Sequence, residues 1–155
     1  GVADLPRRAE LSQAANARYL ERLADVEAGE SLADTVRPLT RSSQWKGRSV
    51  RALNPLADSD LRLLQSISRG EFVMKGFRNR DLLPLLFDQP ARNLVERRRH
   101  SAKVTRLLRL LRGHHLIRKI PRTHRYLLTK RGATTVTALL AARNADTRKL
   151  TDLAA

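Results

Sequence analysis

Apolar residues in the first forty positions recur at helical spacing. Over residues 8–28 they lie three or four positions apart, which places them on one face of a helix. Gly29 ends this helix, and Ser31 has the type and position of an N-cap for a short second helix that ends near Thr40. We therefore predict an N-terminal helical hairpin over residues 1–40. Its apolar stripe favours packing onto the rest of the chain or pairing of two chains in a homodimer.

Residues 41–54 lack a regular apolar period. Ser and Gly punctuate them, and they contain basic residues but no acidic one, so we predict an extended basic linker. Trp45 is the only Trp of the chain. Large aromatic side chains usually bury much of their area, so Trp45 is expected to fasten the linker to the core; stacking on a base or a sugar is the alternative.

The pattern then predicts two short helices with an apolar run between them. Asp58 has the position of an N-cap for a helix over residues 59–68, and Asn79 has that position for a helix over residues 80–87. Residues 72–74 are consecutively apolar and too few for a helix of their own. We predict that they form one edge strand.

The longest helical pattern covers residues 94–113. Asn93 and Glu96 have the spacing of a capping box, in which the Asn oxygen accepts an N–H of the first turn and the Glu side chain reaches back. Gly113 ends the pattern. Between these signals the apolar residues keep the spacing of a core-facing stripe, formed by Val104, Leu107, Leu108 and Leu111.

Two strand-like runs and a final helix complete the chain. Residues 116–120 and 125–128 alternate between core and solvent, and residues 121–124 form a basic tip between them. Thr129 has the position of an N-cap for a helix that runs to about Asn144.

These elements predict a mainly α fold with a small β-hairpin, which belongs to the α+β class. The length of 155 residues suits one domain with an appendage. We divide the chain into the helical hairpin of residues 1–40, the linker of residues 41–54, a domain of residues 55–145 and a frayed tail of residues 146–155.

Charge narrows the range of partners. The chain has 31 Lys and Arg against 15 Asp and Glu, a formal net charge of +16, which favours nucleic acid as the partner. The absence of Cys excludes disulfides, thiolate zinc sites and Cys nucleophiles, and is consistent with a reducing cytosol. No apolar run approaches the roughly 18 residues that cross a bilayer, and the start lacks a signal-peptide core. We therefore expect a cytoplasmic protein without a membrane partner.

The basic residues concentrate in residues 96–128. This segment holds eleven Lys and Arg, all four His and a single acidic residue, Glu96. A solvated helix face normally intersperses acids that pair with its bases, so this pattern is typical of a surface for a polyanion. Each residue of a helix advances by 100°, so most of the candidate nucleic-acid contacts in residues 94–113 lie on one side of the helix. Ser101, Ala102 and Thr105 are small and permit close approach to a groove there. The candidate nucleic-acid contacts are Arg98, Arg99, Ser101, Ala102, Thr105, Arg106, Arg109 and Arg112 in the helix, and Arg122, Thr123, His124 and Arg125 at the tip.

From residue 55 the order is helix, strand, helix, helix, strand, basic turn, strand, helix. This order resembles the winged helix-turn-helix domain of bacterial regulators of the MarR type, and VTRLLRLLRGHHLIRKIPRTHRYLLTKRG carries the resemblance. The resemblance implies a recognition helix over residues 94–113 in the major groove of double-stranded DNA. It also implies a wing over residues 117–128 on the adjacent backbone, in a transcriptional regulator or a targeting module.

Two alternatives stay open. The chain begins without Met and resembles the C-terminal part of longer uncharacterised bacterial proteins, so it could be the DNA-binding part of a mobile-element or replication enzyme. An RNA-binding protein is the other alternative, although an aromatic content of 4% argues against base stacking.

Catalytic and metal-binding patterns are absent from the sequence. No Gly-rich phosphate loop follows a strand, and no Ser, His and Asp set stands out. The four His have no spacing typical of metal ligands. We therefore predict a protein that is not an enzyme by itself and that uses neither a metal nor another cofactor.

Overall fold

The computed structural model describes residues 32–154, apart from the side chains of residues 146, 149 and 150. The predicted helix over residues 8–28 and the dimer surface on it lie outside the described residues. Helix α1 (Leu32–Val36) is followed by a 3₁₀ helix (Arg37–Thr40). The second helical segment therefore ends at the predicted residue.

The segment predicted to be an extended linker, residues 41–54, instead contains an antiparallel hairpin. Its strands are β1 (Ser43–Trp45) and β2 (Arg48–Val50). Lys46 and Gly47 form the turn with φ of 48° and 74°. Left-handed values at both turn positions are those of a type I′ turn, whose twist matches that of the flanking strands. The strands are short and mostly polar, so their apolar alternation was too weak to predict them.

Three helices follow: α2 (Asp58–Ile67), α3 (Gly70–Lys75) and α4 (Asn79–Leu86). Helix α3 replaces the strand predicted over residues 72–74, because the N–H groups of Phe72 and Val73 both bond to the Arg69 carbonyl and start a helical turn. The extended residue is Phe77, which forms an isolated antiparallel bridge with Tyr126.

The caps predicted for α2 and α4 are wrong. Asp58 and Asn79 are the first helical residues, and Ala57 and Arg78 precede them without a side-chain cap to the helix. At α4 the carboxylate of Asp81 accepts the backbone N–H of Arg78 at 2.7 Å. An acidic residue in the first turn therefore satisfies the N–H of the residue that precedes the helix.

Helix α5 (Leu94–Gly113) has the predicted bounds. Asn93 Oδ1 accepts the N–H of Glu96 at 2.9 Å, as predicted. The Glu96 carboxylate reaches back to the N–H of Arg92 at 2.6 Å, one residue further than a capping box requires.

The second hairpin pairs β3 (Ile117–Lys119) with β4 (Tyr126–Leu128), and Ile117 lies opposite Leu128. Thr129 Oγ1 then accepts the N–H of Gly132 at 2.9 Å and caps α6 (Lys130–Ala154), as predicted. The tail predicted over residues 146–155 is helical to Ala154, because no Gly or Pro after Gly132 stops the helix.

The core lies between α2, α4, α5 and α6, and it includes Val50 of the first hairpin and Ile117 of the second. In the predicted stripe of α5, Val104, Leu108 and Leu111 are buried, whereas Leu107 is only partly buried and Leu110 is buried as well. The described fold is therefore mainly α with small antiparallel hairpins. No helix in the described part of the chain is both long and apolar enough to cross a membrane.

Candidate nucleic-acid interface

Helix α5 presents most of its cations to solvent. Arg98, Arg99, Arg106 and Arg109 are exposed, while the opposite side of the helix lies in the core. Within residues 32–154 no Lys or Arg of α5 or of the second hairpin takes part in an ion pair. Glu96 is occupied at the start of the helix by the backbone of Arg92. The positive charge of this surface is therefore not neutralised by the described acidic residues.

Ser101 and Thr105 join α5 to the start of α4. The side-chain N–H groups of Asn79 donate to the Ser101 carbonyl and to Thr105 Oγ1, both at 3.0 Å. Ser101 Oγ also lies 3.3 Å from Asn79 Oδ1. These two predicted contact residues thus fix the packing of α4 on α5, while Ala102 is exposed on the solvent side. Sequence reasoning placed Asn79 at the cap of α4 and missed this role.

The C-terminal half of α5 forms the floor of a groove. The groove has a volume of about 280 Å³ and is bordered by the first hairpin, by α5 and by β4. Four cations and two aromatic side chains line it, and no carboxylate does. The lining residues are Trp45, Lys46, Arg48, Thr105, Leu108, Arg109, Arg112 and Tyr126.

Arg112 lies against Trp45 rather than in open solvent. Its guanidinium carbon is 4.8 Å from the ring centroid of Trp45, and the Lys46 ammonium is 5.7 Å from the same centroid. The ring of His115 meets Trp45 edge-on at 6.5 Å. Trp45 packs against the core as predicted, but it does so from a β-strand.

The first hairpin is also tied to α2. The Arg51 guanidinium donates to both carboxylate oxygens of Asp60 at 2.8 Å, and the N–H of Asn54 donates to the same carboxylate at 2.8 Å. The hydrogen bonds from Arg51 hold the pKa of the buried Asp60 carboxyl below its usual value, against the effect of burial. The hairpin is therefore anchored at the residue that follows β2.

The four tip residues of the second hairpin have different surroundings. Arg122 and His124 are exposed, and Arg122 takes a left-handed φ of 62°. Thr123 Oγ1 donates to the Ile120 carbonyl at 2.9 Å and accepts the N–H of Arg125 at 3.0 Å, so it shapes the turn. The Arg125 guanidinium donates to a backbone carbonyl of α3 at 3.3 Å. Arg122 and His124 are thus the two tip residues best placed to meet a ligand.

Two exposed apolar residues at the start of α5 were missed. Leu94 and Val95 are 58% and 60% exposed, next to the exposed arginines. Their signal in the sequence is their position directly after the Asn93 cap and outside the core-facing stripe.

Sequence reasoning also missed the groove residues of the first hairpin. The local signal in the sequence SQWKGRSV is a two-residue turn that ends in Gly, between two short and mostly polar runs. Lys46 lies in that turn and Arg48 directly follows it, and both line the groove.

The histidines do not converge. His114 is buried and its Nε2 lies 2.7 Å from the Arg51 carbonyl, while His100 stacks on Phe87 with ring centroids 3.8 Å apart. Among the residues that the structure describes, no group of three or more His, Cys, Asp or Glu side chains could hold a metal ion.

Comparisons with protein-family models, with curated proteins and with solved structures found no match to this chain.

Proposed function

We propose that the protein binds double-stranded DNA, with α5 in the major groove and the second hairpin on the adjacent backbone. One observation carries the proposal. Helix α5 is anchored in the core by one side and carries exposed arginines on the other, among them Arg98, Arg106 and Arg109, and no described acidic residue pairs with them. Such a rigid unpaired cationic surface is suited to a regular array of phosphates.

The dimensions of α5 suit the major groove of a duplex. Its 20 residues span about 30 Å, and the major groove of B-form DNA is about 12 Å wide and admits a helix. Exposed arginines can read guanine through two hydrogen bonds, and Leu94 and Val95 can contact a thymine methyl group. The first turns of α5 therefore offer both kinds of contact to base edges.

Duplex DNA fits this surface better than RNA does. The major groove of A-form RNA is deep and narrow and would not admit the helix. Readers of single-stranded RNA stack bases on open aromatic rings, whereas the Trp45 ring already lies under Arg112.

The order of elements supports a winged helix arrangement. Helices α2, α4 and α5 precede the second hairpin, and the N–H and carbonyl of Phe77 both bond to Tyr126 at the edge of that hairpin. In this arrangement α5 is the recognition helix and the second hairpin is the wing. The biological role that follows is a transcriptional regulator or a module that targets DNA.

Selection from a random duplex library, with homopolymer RNA as competitor, tests the proposal. We expect enrichment of a short sequence and retention of duplex binding in the presence of the RNA. Arg106→Ala with Arg109→Ala should lower affinity for the selected duplex at least about fivefold, since one bidentate guanine contact is worth about 1–3 kcal/mol.

The matched control removes two exposed arginines of α6 that do not line the groove, Arg143→Ala with Arg148→Ala. The two double variants have the same net charge, so only the position of the charge differs. The thermal unfolding temperature should be nearly unchanged in both variants. All four side chains are exposed, and none of them forms an ion pair within residues 32–154. Equal affinity losses in the two variants, or displacement of the duplex by RNA, would contradict the proposal.

A further inference from the structure

We propose that the first hairpin is a second contact to the DNA backbone, and that the groove between it and α5 binds one phosphate of the duplex. The inference rests on the proposed function, because it places this phosphate beside the bases that α5 contacts. It adds Lys46 and Arg48 to the interface, which neither the predicted recognition helix nor the predicted wing includes.

The charge of the groove calls for an anion. Lys46, Arg48, Arg109 and Arg112 line a space of about 280 Å³ without a carboxylate among the lining residues. Cations that line one groove repel one another, and an anion between them removes that repulsion. Guanidinium groups bind phosphate through two parallel hydrogen bonds, which makes a phosphate the anion that these side chains suit best.

The aromatic residues favour a phosphate over a stacked base. The Arg112 guanidinium lies 4.8 Å from the centroid of Trp45, and His115 meets the same ring edge-on. An incoming base would have to displace Arg112 from this ring to stack on it. Arg112 held in this way is instead fixed at the groove by a cation–π contact.

The hairpin is held firmly enough to present its cations at a fixed place. Ser43 Oγ donates to the carbonyl of Gly113 at 2.9 Å. Val50 packs so closely on Gly113 that an added Cβ would lie 2.6 Å from a Val50 methyl carbon. Arg51 is bound to Asp60 directly after β2. A contact that is ordered before binding loses less conformational entropy when the DNA arrives.

The groove is also continuous with the proposed DNA-binding face. Its floor residues Thr105, Arg109 and Arg112 lie on the same side of α5 as Arg98, since each step between them is close to a whole number of helical turns. A duplex that receives the first turns of α5 in its major groove therefore brings its backbone towards the later turns, where Lys46 and Arg48 stand.

Lys46→Gln with Arg48→Gln tests the inference in the full chain. The negative slope of log affinity against log salt concentration should become less steep by about 0.9 for one lost phosphate contact. Affinity should fall by the same factor for the selected duplex and for an unrelated one, because a backbone contact carries no sequence information. The control, Arg143→Gln with Arg148→Gln, has the same net charge and should keep the wild-type slope.

A tethered cleavage reagent locates the hairpin on the DNA. The chain contains no Cys, so Gln44→Cys creates a single attachment point for iron–EDTA on the exposed side of β1 and leaves both cations in place. We expect strand breaks in the backbone next to the bases protected by the protein. The control attachment point is Asn144→Cys on α6, which should give no cleavage at those positions.

The possible failures are distinguishable. If the wild-type chain does not bind duplex DNA, the proposed function and this inference both fail. If it binds and the Lys46 and Arg48 variant keeps the wild-type slope, only this inference fails. If adenosine monophosphate binds in the groove, and the Lys46 and Arg48 variant keeps the wild-type affinity for duplex DNA, the groove is a site for a small anion. The inference is then overturned.

Discussion

The two hairpins of this protein show how differently two similar elements can be encoded. Each has two antiparallel strands of three residues, and each packs near α5. The second hairpin has apolar residues in both strands, and Ile117 pairs with Leu128, so its pattern is visible in the sequence. In the strands of the first hairpin only Val50 is buried, and the hairpin docks on α5. Docking depends on residues remote in sequence, which a local pattern does not reveal.

The hairpins also differ in the groups that hold them. Backbone groups hold the second one, since Phe77 and Tyr126 exchange two hydrogen bonds of 2.9 and 2.8 Å. Side chains hold the first one, through Ser43 on Gly113 and through Arg51 on Asp60. Side-chain changes should therefore loosen the first hairpin, whereas backbone changes should loosen the second.

The largest expected effect is that of Gly76→Ala beside the second hairpin. Gly76 has φ of 74° and ψ of −176°, a conformation almost restricted to Gly, and an added Cβ would lie 2.6 Å from the Tyr126 carbonyl oxygen. The backbone conformation alone costs about 1–3 kcal/mol, and the contact adds to it, so we expect a loss of about 3 kcal/mol in urea unfolding.

Gly47→Ala in the first hairpin is the matched comparison. Gly47 has the same φ of 74°, but an added Cβ would meet nothing within 4 Å. The left-handed conformation then costs about 1–2 kcal/mol without a steric contact. Equal losses in the two variants would show that the close approach of Gly76 to β4 is unimportant for stability.

An effect smaller than that of Gly76→Ala is expected where the first hairpin meets α5. In Gly113→Ala the new Cβ would lie 2.6 Å from a Val50 methyl carbon, and overpacking of this kind costs about 1–3 kcal/mol. Adding Val50→Ala should recover part of the loss, because it removes the clashing methyl groups. A double-mutant cycle by urea unfolding measures this coupling. Additive losses would mean that the hairpin does not pack on Gly113.

The smallest effect concerns the anchor between Arg51 and Asp60. The pKa of Asp60 is lower in the folded chain than in the unfolded chain, because Arg51 hydrogen-bonds its carboxylate. The stability from this carboxylate is present above the unfolded pKa of about 3.9 and is lost as the pH falls through the lower folded pKa. Urea unfolding from about pH 5 downwards should therefore show a steeper loss in the wild type than in Asp60→Asn. Parallel curves of unfolding free energy against pH in the two proteins would contradict a stabilising contact between Arg51 and Asp60.

Elements with strong local signals were predicted well. The Asn93 cap and Gly113 fixed both ends of α5, and Thr129 marked the start of α6. The helical period placed Val104 and Leu111 in the core and the arginines outside it.

The errors arose where tertiary contacts or weak local preferences decide the structure. Residues 72–74 are apolar enough for a strand, yet Arg69 starts a helical turn there and Phe77 takes the extended position. Within the candidate site, the contact of Arg112 with Trp45 and the hydrogen bond of Arg125 to Lys75 join residues far apart in the chain. Periodicity predicts which side of an element a residue occupies, and it does not predict which remote residue it will meet.

The salt dependence of duplex binding by the wild-type chain tests the proposed DNA interface most directly. The affinity for the selected duplex is measured by fluorescence anisotropy over a range of KCl concentrations. Each phosphate contact contributes about 0.9 to the slope, so contacts from α5 and both hairpins predict a linear fall with a slope steeper than about −3 on logarithmic axes. A nearly flat titration would contradict duplex binding through this cationic surface.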